Sequence, residues 1–356
     1  ANQKIKGKVY LNIVPDNAAA PFRTKIIGSS FETSTGMEDA TRSNRDLYKN
    51  VFMNYYQLPG TQARIKVLLA TNATDRFQEV YALLEAYAYR ITGNSAHLQN
   101  AATLLEHAYN RQKVVGMEVD STTIVRGIKA YHLIRTEPSL SASFHIKMKD
   151  FFLAIDASKS IDPNTVQYNA GTYVALIKES IDTLFPGEAS STERIADANK
   201  VWNSWWPYRS VIDVSDQYEF YTWSGIKTWM EITGKDSLWL DPLLKRRMES
   251  ILQLTGPDGF YSESGDTHGL SNHHEALFEK LGVLYNDGRF TAAARKMFQW
   301  LARHIGVIRQ QYSQIELNDI VLSAAEAYLS ASAAPALAPL PGASALIYRA
   351  QQVITR

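Results

Sequence analysis

Three of the eight histidines fall within seven residues, in Gly265-Asp266-Thr267-His268-Gly269-Leu270-Ser271-Asn272-His273-His274-Glu275. Imidazole titrates near neutrality, so His268 or His273 suits a base or a charge-neutralising donor. The segment also suits a solvated loop whose Ser271 or Asn272 caps the next helix. Asp266, His268, His273 and His274 are metal ligands by type, but the spacing is not His-Glu-x-x-His, and no metal is expected. Two phenols make a second group. In Asp216-Gln217-Tyr218-Glu219-Phe220-Tyr221-Thr222-Trp223, Tyr218 and Tyr221 share one helical face with Gln217. A third group is Gln167-Tyr168-Asn169-Ala170-Gly171-Thr172-Tyr173, with Asn169 and Tyr173 four apart on one face. A fourth, Ser29-Ser30-Phe31-Glu32-Thr33-Ser34 with Arg42 and Arg45, suits either a cleft lining or a tie for the N-terminal segment.

The tryptophans are as unevenly placed. Six of seven lie between residues 202 and 239: Trp202, Trp205, Trp206, Trp223, Trp229 and Trp239. Flat indole faces stack on the C–H faces of sugar rings, and they also fill cores. Arg209 and the Tyr218/Tyr221 face accompany them. That company makes Trp205, Trp206 and Trp223 candidates for a sugar platform.

Several chemistries are excluded. There is no GxGxxG, no GxxxxGK[ST] and no GxSxG, which removes the usual dinucleotide, P-loop and serine-elbow sites. There is no cysteine, hence no thiol nucleophile and no disulfide. With 37 basic and 36 acidic residues, the chain has no general attraction for nucleic acid or an anionic membrane. No apolar run approaches the ~20 residues of a spanning helix. An absent cysteine and a start at Ala1 fit a mature chain after signal-peptide removal, secreted or periplasmic.

The elements that must position these groups are helical. Residues 4–14 alternate and predict a strand, and 15–40 read as loop. From there the period is that of a helix. It predicts helices over roughly 41–57, 74–92, 95–112, 120–136, 140–155, 166–184, 190–206, 216–233, 236–254, 272–286, 290–305 and 315–331. Pro59-Gly60 is read as the end of the first. Thr92-Gly93-Asn94 and Thr233-Gly234-Lys235 read as glycine C-caps followed by a new helix. Both follow an isoleucine, 141 residues apart, and both join an aromatic-rich helix to a second helix. Leu284–Leu301, around Asp287-Gly288, repeats the idea. A helical hairpin cannot bury both faces alone, so neighbours must stack on it. Many helices are apolar over more than one stripe, which favours a closed ring over an open superhelix or an irregular bundle. Three segments are expected: an N-terminal strand and loop over 1–40 packed on the ring, an all-α, (α/α)n toroid of about six hairpins over 41–331, and a Pro/Ala-rich linker with a C-terminal segment over 332–356.

Hairpins with Thr-Gly turns, clustered Trp and Tyr, and a His/Asn-rich loop resemble the α/α-toroid carbohydrate-active enzymes. The chain is most similar to the polysaccharide lyases that cleave uronic-acid polymers such as alginate. That resemblance covers about residues 41–331. It implies a site of Asn, His and Tyr, often with Arg or Glu, and no cofactor. The corresponding candidates are Asn169, His268 or His273, Tyr218 or Tyr221, and Arg209 or Glu263. Arg42, Asn272 and the Trp205/Trp206/Trp223 faces would contact an anionic polysaccharide or oligosaccharide. The implied reaction is β-elimination. Hydrogen bonds neutralise the carboxylate next to C5, Tyr or His takes the C5 proton, and Tyr protonates the leaving O4. Two alternatives stand beside it. One is an α/α-toroid glycoside hydrolase with paired carboxylates among Asp216, Glu219, Glu263 and Asp266. The other is a non-catalytic helical-repeat glycan-binding protein.

Overall fold

A computed structural model describes residues 44–70, 77–115, 120–162, 169–209, 216–253, 255, 275–311 and 314–331. The chain divides into two compact units, Ala1–Thr41 and Arg42–Arg356, and all described residues belong to the second. Among them every regular element is helical. The expected strand over 4–14 and the segments 1–40 and 332–356 lie outside the described residues.

The helices are α1 (Asn44–Tyr56), α2 (Pro59–Ala70), α3 (Gln78–Thr92), α4 (Ser95–Val115), α5 (Ser121–Ile134), α6 (Ala142–Ser158) and α7 (Asn169–Leu184). They continue as α8 (Ser191–Trp205), α9 (Asp216–Thr233), α10 (Pro242–Gln253), α11 (Glu275–Tyr285), α12 (Gly288–Gln311) and α13 (Gln314–Ser330). Short 3-10 turns cover Trp206–Tyr208 and Asp236–Leu240. Two expectations are corrected. Pro59 does not only end a helix; it opens α2, because the first helical position needs no N–H donor. The helix expected over 236–254 is a 3-10 turn followed by α10. Pro242 cannot continue a helix, and Asp241 caps the new one by accepting from the N–H groups of Leu243 and Leu244, both at 3.0 Å.

The hairpin turns have a common cause. Gly93 has φ +71° and Gly234 φ +69°, in the left-handed region that lacks a penalty only for glycine. The Gly93 N–H donates to the Tyr89 carbonyl at 2.7 Å, and the Lys235 N–H to that of Met230 at 2.8 Å. In both turns the preceding threonine hydroxyl donates four residues back, Thr92 to Ala88 at 2.7 Å and Thr233 to Trp229 at 2.8 Å. In the third copy the left-handed residue is Asn286, at φ +50°, and Asp287 caps α12 by accepting from the Arg289 N–H at 3.0 Å.

Two kinds of helix result. α6 buries one stripe, Phe144, Met148, Phe151, Phe152 and Ile155; α10 buries Leu244, Met248, Ile251 and Leu252. These are amphipathic helices with a wet face. By contrast α3 is buried from Gln78 to Ala88, α7 from Gly171 to Ile181 and α11 from Glu275 to Gly282. Helices buried all round have packed neighbours on every side. The pairs in contact include α3 with α5, α5 with α7, α7 with α9, α9 with α11, α11 with α13 and α13 with α3. Each of α3, α7 and α11 also packs on the helix that follows it.

Buried carboxylates tie these layers together. Glu85 of α3 accepts from the Tyr56 hydroxyl at 2.8 Å and faces His97 Nδ1 at 2.8 Å, joining α1, α3 and α4. Glu179 of α7 accepts from the indole N–H groups of Trp202 at 2.9 Å and Trp229 at 2.6 Å, joining α7, α8 and α9.

Candidate functional site

Asn169 and Tyr173 occupy the first turns of α7, and Tyr218 and Tyr221 the first turns of α9. The Tyr173 hydroxyl donates to the Tyr221 carbonyl at 2.7 Å. This bond brings the third and second sequence groups to one end of the helix cluster. Gly225 permits the approach, because a Cβ there would lie 2.8 Å from Leu176 Cδ1 and 3.1 Å from the Tyr173 ring. Tyr218, Tyr221 and Asn169 are each half-buried. Tyr173 and Tyr221 help to line a cavity of about 60 Å³, room for a few water molecules. Its lining includes Tyr173, Tyr221, Arg126, Lys129, Ser323 and Glu326.

A second acid adjoins that cavity, and sequence reasoning missed it. Glu275 at the start of α11 is fully buried. The Ser323 hydroxyl, part of the cavity wall, donates to its Oε2 at 3.2 Å, while Oε1 has no partner among the described residues. Burial pushes the Glu275 carboxyl up to about 8, so it is a neutral acid at neutral pH. One turn on, Glu279 accepts from the Tyr48 hydroxyl at 2.5 Å and Asn44 Nδ2 at 3.4 Å. Burial raises it to about 7, against the opposing hydrogen bonds and the charge of Arg295. The available signal was in α11 itself, where two glutamates one turn apart stand among Ala276, Leu277, Phe278 and Leu281.

The tryptophan expectation is corrected in part. Trp205 and Trp223 are 1% and 0% exposed and meet edge to face at 6.2 Å, so their faces are closed to a ligand. Trp202 and Trp229 stack at 4.7 Å above the Glu179 carboxylate. These rings join α8 to α9 as core. The helical spacing of Ala198, Val201, Trp202 and Trp205 was the sign of it. Trp206 is half-buried, and the Arg209 guanidinium covers its ring at 4.5 Å. Arg209 also grips Asp241 through two bonds of 3.1 and 3.0 Å, which hold that carboxyl below its ordinary range. Arg209 is therefore committed to the α8–α10 junction and not displayed for a substrate. Glu219 accepts from Trp223 Nε1 at 3.1 Å and from Arg247, a structural role rather than half of a catalytic pair.

Arg42, Glu263, His268, Asn272 and His273 lie outside the described residues. Among the described residues no three His, Asp or Glu side chains converge as a metal site. None of the described helices is long and apolar enough to cross a membrane. Comparison of the chain with protein-family models, with curated proteins and with solved structures finds no match.

Proposed function

We propose that this chain is an (α/α)6 toroid carrying a lyase that cleaves a uronic-acid polysaccharide by β-elimination. The architecture is supported by the order of helix contacts, in which α3, α5, α7, α9, α11 and α13 each touch the next and the last touches the first. It is also supported by the full burial of α3, α7 and α11 beside one-striped α6 and α10. The observation that carries the functional reading is the Tyr173–Tyr221 bond. It joins Tyr173 and Tyr221 on the wall of a cavity that Arg126 and Lys129 also line, with the buried Glu275 one hydrogen bond behind Ser323.

In this reading the polymer lies over the mouth of the small cavity. Arg126 and Asn169 face the uronate carboxylate and withdraw its charge, so the C5 proton becomes acidic. His268 or His273 shares that task. Tyr221 takes the proton at C5 and Tyr218 delivers one to the leaving O4. The 4,5 bond becomes a double bond as O4 departs, and no redox partner is involved. A hydrolase would need two carboxylates across the bond. The described cavity wall offers one, Glu326, already held by Lys227 at 2.7 Å and Tyr87 at 2.7 Å. A polymer substrate cannot cross a membrane unaided, so the enzyme works in the periplasm or outside the cell.

The test is Tyr221→Phe, which removes one proton-transfer group and little volume. Turnover, read as ultraviolet absorbance of the unsaturated product, should vanish with the melting temperature little changed. His268→Ala should act likewise. Near-wild-type rates in both variants would remove these residues from the site.

A further inference from the structure

A second group of buried charges lies where α5, α9, α11 and α13 meet. Lys129 of α5, Lys227 and Glu231 of α9, Lys280 of α11 and Glu326 of α13 form one connected cluster. Lys227 reaches Glu231 at 3.1 Å and Glu326 at 2.7 Å; Lys280 reaches Glu231 at 2.9 Å and Asp236 at 2.7 Å. Lys129 pairs with Glu231. The three lysine side chains are 6%, 2% and 10% exposed, whereas Asp236 is 46% exposed and screened by water. With Asp236 counted, three ammoniums face three carboxylates, so any surplus is one of N–H donors and not of charge. Each ammonium has three N–H donors. Among the described residues, Lys129 has donors left over, and so do Lys227 and Lys280.

These groups floor a cavity of about 360 Å³, within the range of small-molecule sites. Leu133, Leu284 and Leu329 contribute apolar wall, and His132 also lines it; its Nδ1 is buried and has no partner among the described residues. The mouth is formed by the last turns of α5, α11 and α13, whose carbonyl ends favour hydroxyl donors. A surplus of ammonium donors at the floor and acceptors at the mouth match one chemical class. We infer that this cavity binds a small polyhydroxylated carboxylate, a sugar acid, with its carboxylate on Lys129, Lys227 and Lys280 and a hydroxyl on His132. This is a second site, independent of the lyase reading. Lys129 and Glu326 line both cavities.

Two effects should be visible. His132 is held down to about 4, by burial first and then by the charges of Lys129 and Arg135. A bound carboxylate offsets those charges and raises it. The experiment titrates the full chain with D-glucuronate, D-galacturonate and D-gluconate by calorimetry, with D-glucose as the neutral control. The histidine C–H resonances are followed in parallel, and His132→Asn assigns the signal. Saturable binding of at least one acid, none of glucose, and an upward His132 titration are expected. Leu284→Trp, at the half-exposed rim, should weaken binding at least tenfold by filling the cavity, and so should Leu133→Trp. Tyr221→Phe should leave it unchanged. Failure of all three acids to bind overturns the inference. So does binding that ignores both tryptophan variants; if Tyr221→Phe then alters it, the acid occupies the first cavity and the lyase reading survives alone.

Discussion

Glu275→Gln isolates the buried acid from everything else in the fold. In the folded chain the Glu275 carboxyl titrates at about 8, against an ordinary value of 4.5. Between those values the unfolded chain has lost the proton and the folded chain keeps it. Unfolding therefore releases a proton, and wild-type stability falls as pH rises through this window. It is flat below about 4.5 and above about 8. Each pH unit in the window costs about 1.4 kcal/mol, and the whole shift roughly 5 kcal/mol. Glutamine has the same shape and no proton to lose. Its carbonyl can still accept from Ser323. The variant should match the wild type near pH 4.5 and become the more stable protein above it, by roughly 3 kcal/mol at pH 7. Glu279, which titrates at about 7, is present in both chains and cancels in the difference. Urea unfolding of both proteins at half-unit steps from pH 4.5 to 9 measures it. A stability difference that does not change with pH would show that Glu275 is ionised in the folded state. The neutral-acid argument would then fail.

Other outcomes follow from named contacts. Gly225→Ala places a Cβ against Leu176 and the Tyr173 ring, so it should cost about 1–3 kcal/mol and disturb the Tyr173–Tyr221 bond; turnover should fall further than the melting temperature implies. Trp223→Ala empties a fully buried site and should cost about 3–5 kcal/mol by chemical unfolding. Arg209→Ala breaks a partly exposed pair with Asp241 and uncovers Trp206. It should lower stability by about 1 kcal/mol and leave the catalytic rate constant unaltered; a large rate loss would return Arg209 to the substrate site.

Helix positions were legible because glycine and threonine punctuate the hairpins at fixed chemistry. The Thr92-Gly93 and Thr233-Gly234 turns share the threonine bond and a left-handed glycine, and both could be read from their residues. Pro59 was ambiguous, since proline both forbids a helix interior and favours a first turn. The site was legible as residue types and not as neighbours. Nothing in the spacing of Asn169 and Tyr221 says that α7 and α9 touch; Gly225 decides that, and it looks like any other glycine. The tryptophans misled for the opposite reason. Their clustering marks a local event, but clustering alone does not separate a platform from a core. Glu275, Glu279 and Lys227 escaped because a charged residue in an apolar helix reads as a surface position. Only packing on every side makes it buried.

The central claim meets its most direct test in a panel of uronic-acid polymers incubated with the full chain while ultraviolet absorbance and reducing ends are recorded together. β-Elimination predicts that the two rise in step, because every cleavage leaves one double bond between C4 and C5. New reducing ends without absorbance would mean hydrolysis and would contradict the account. Neither signal on any polymer, with sugar binding intact, would make the chain a binding protein.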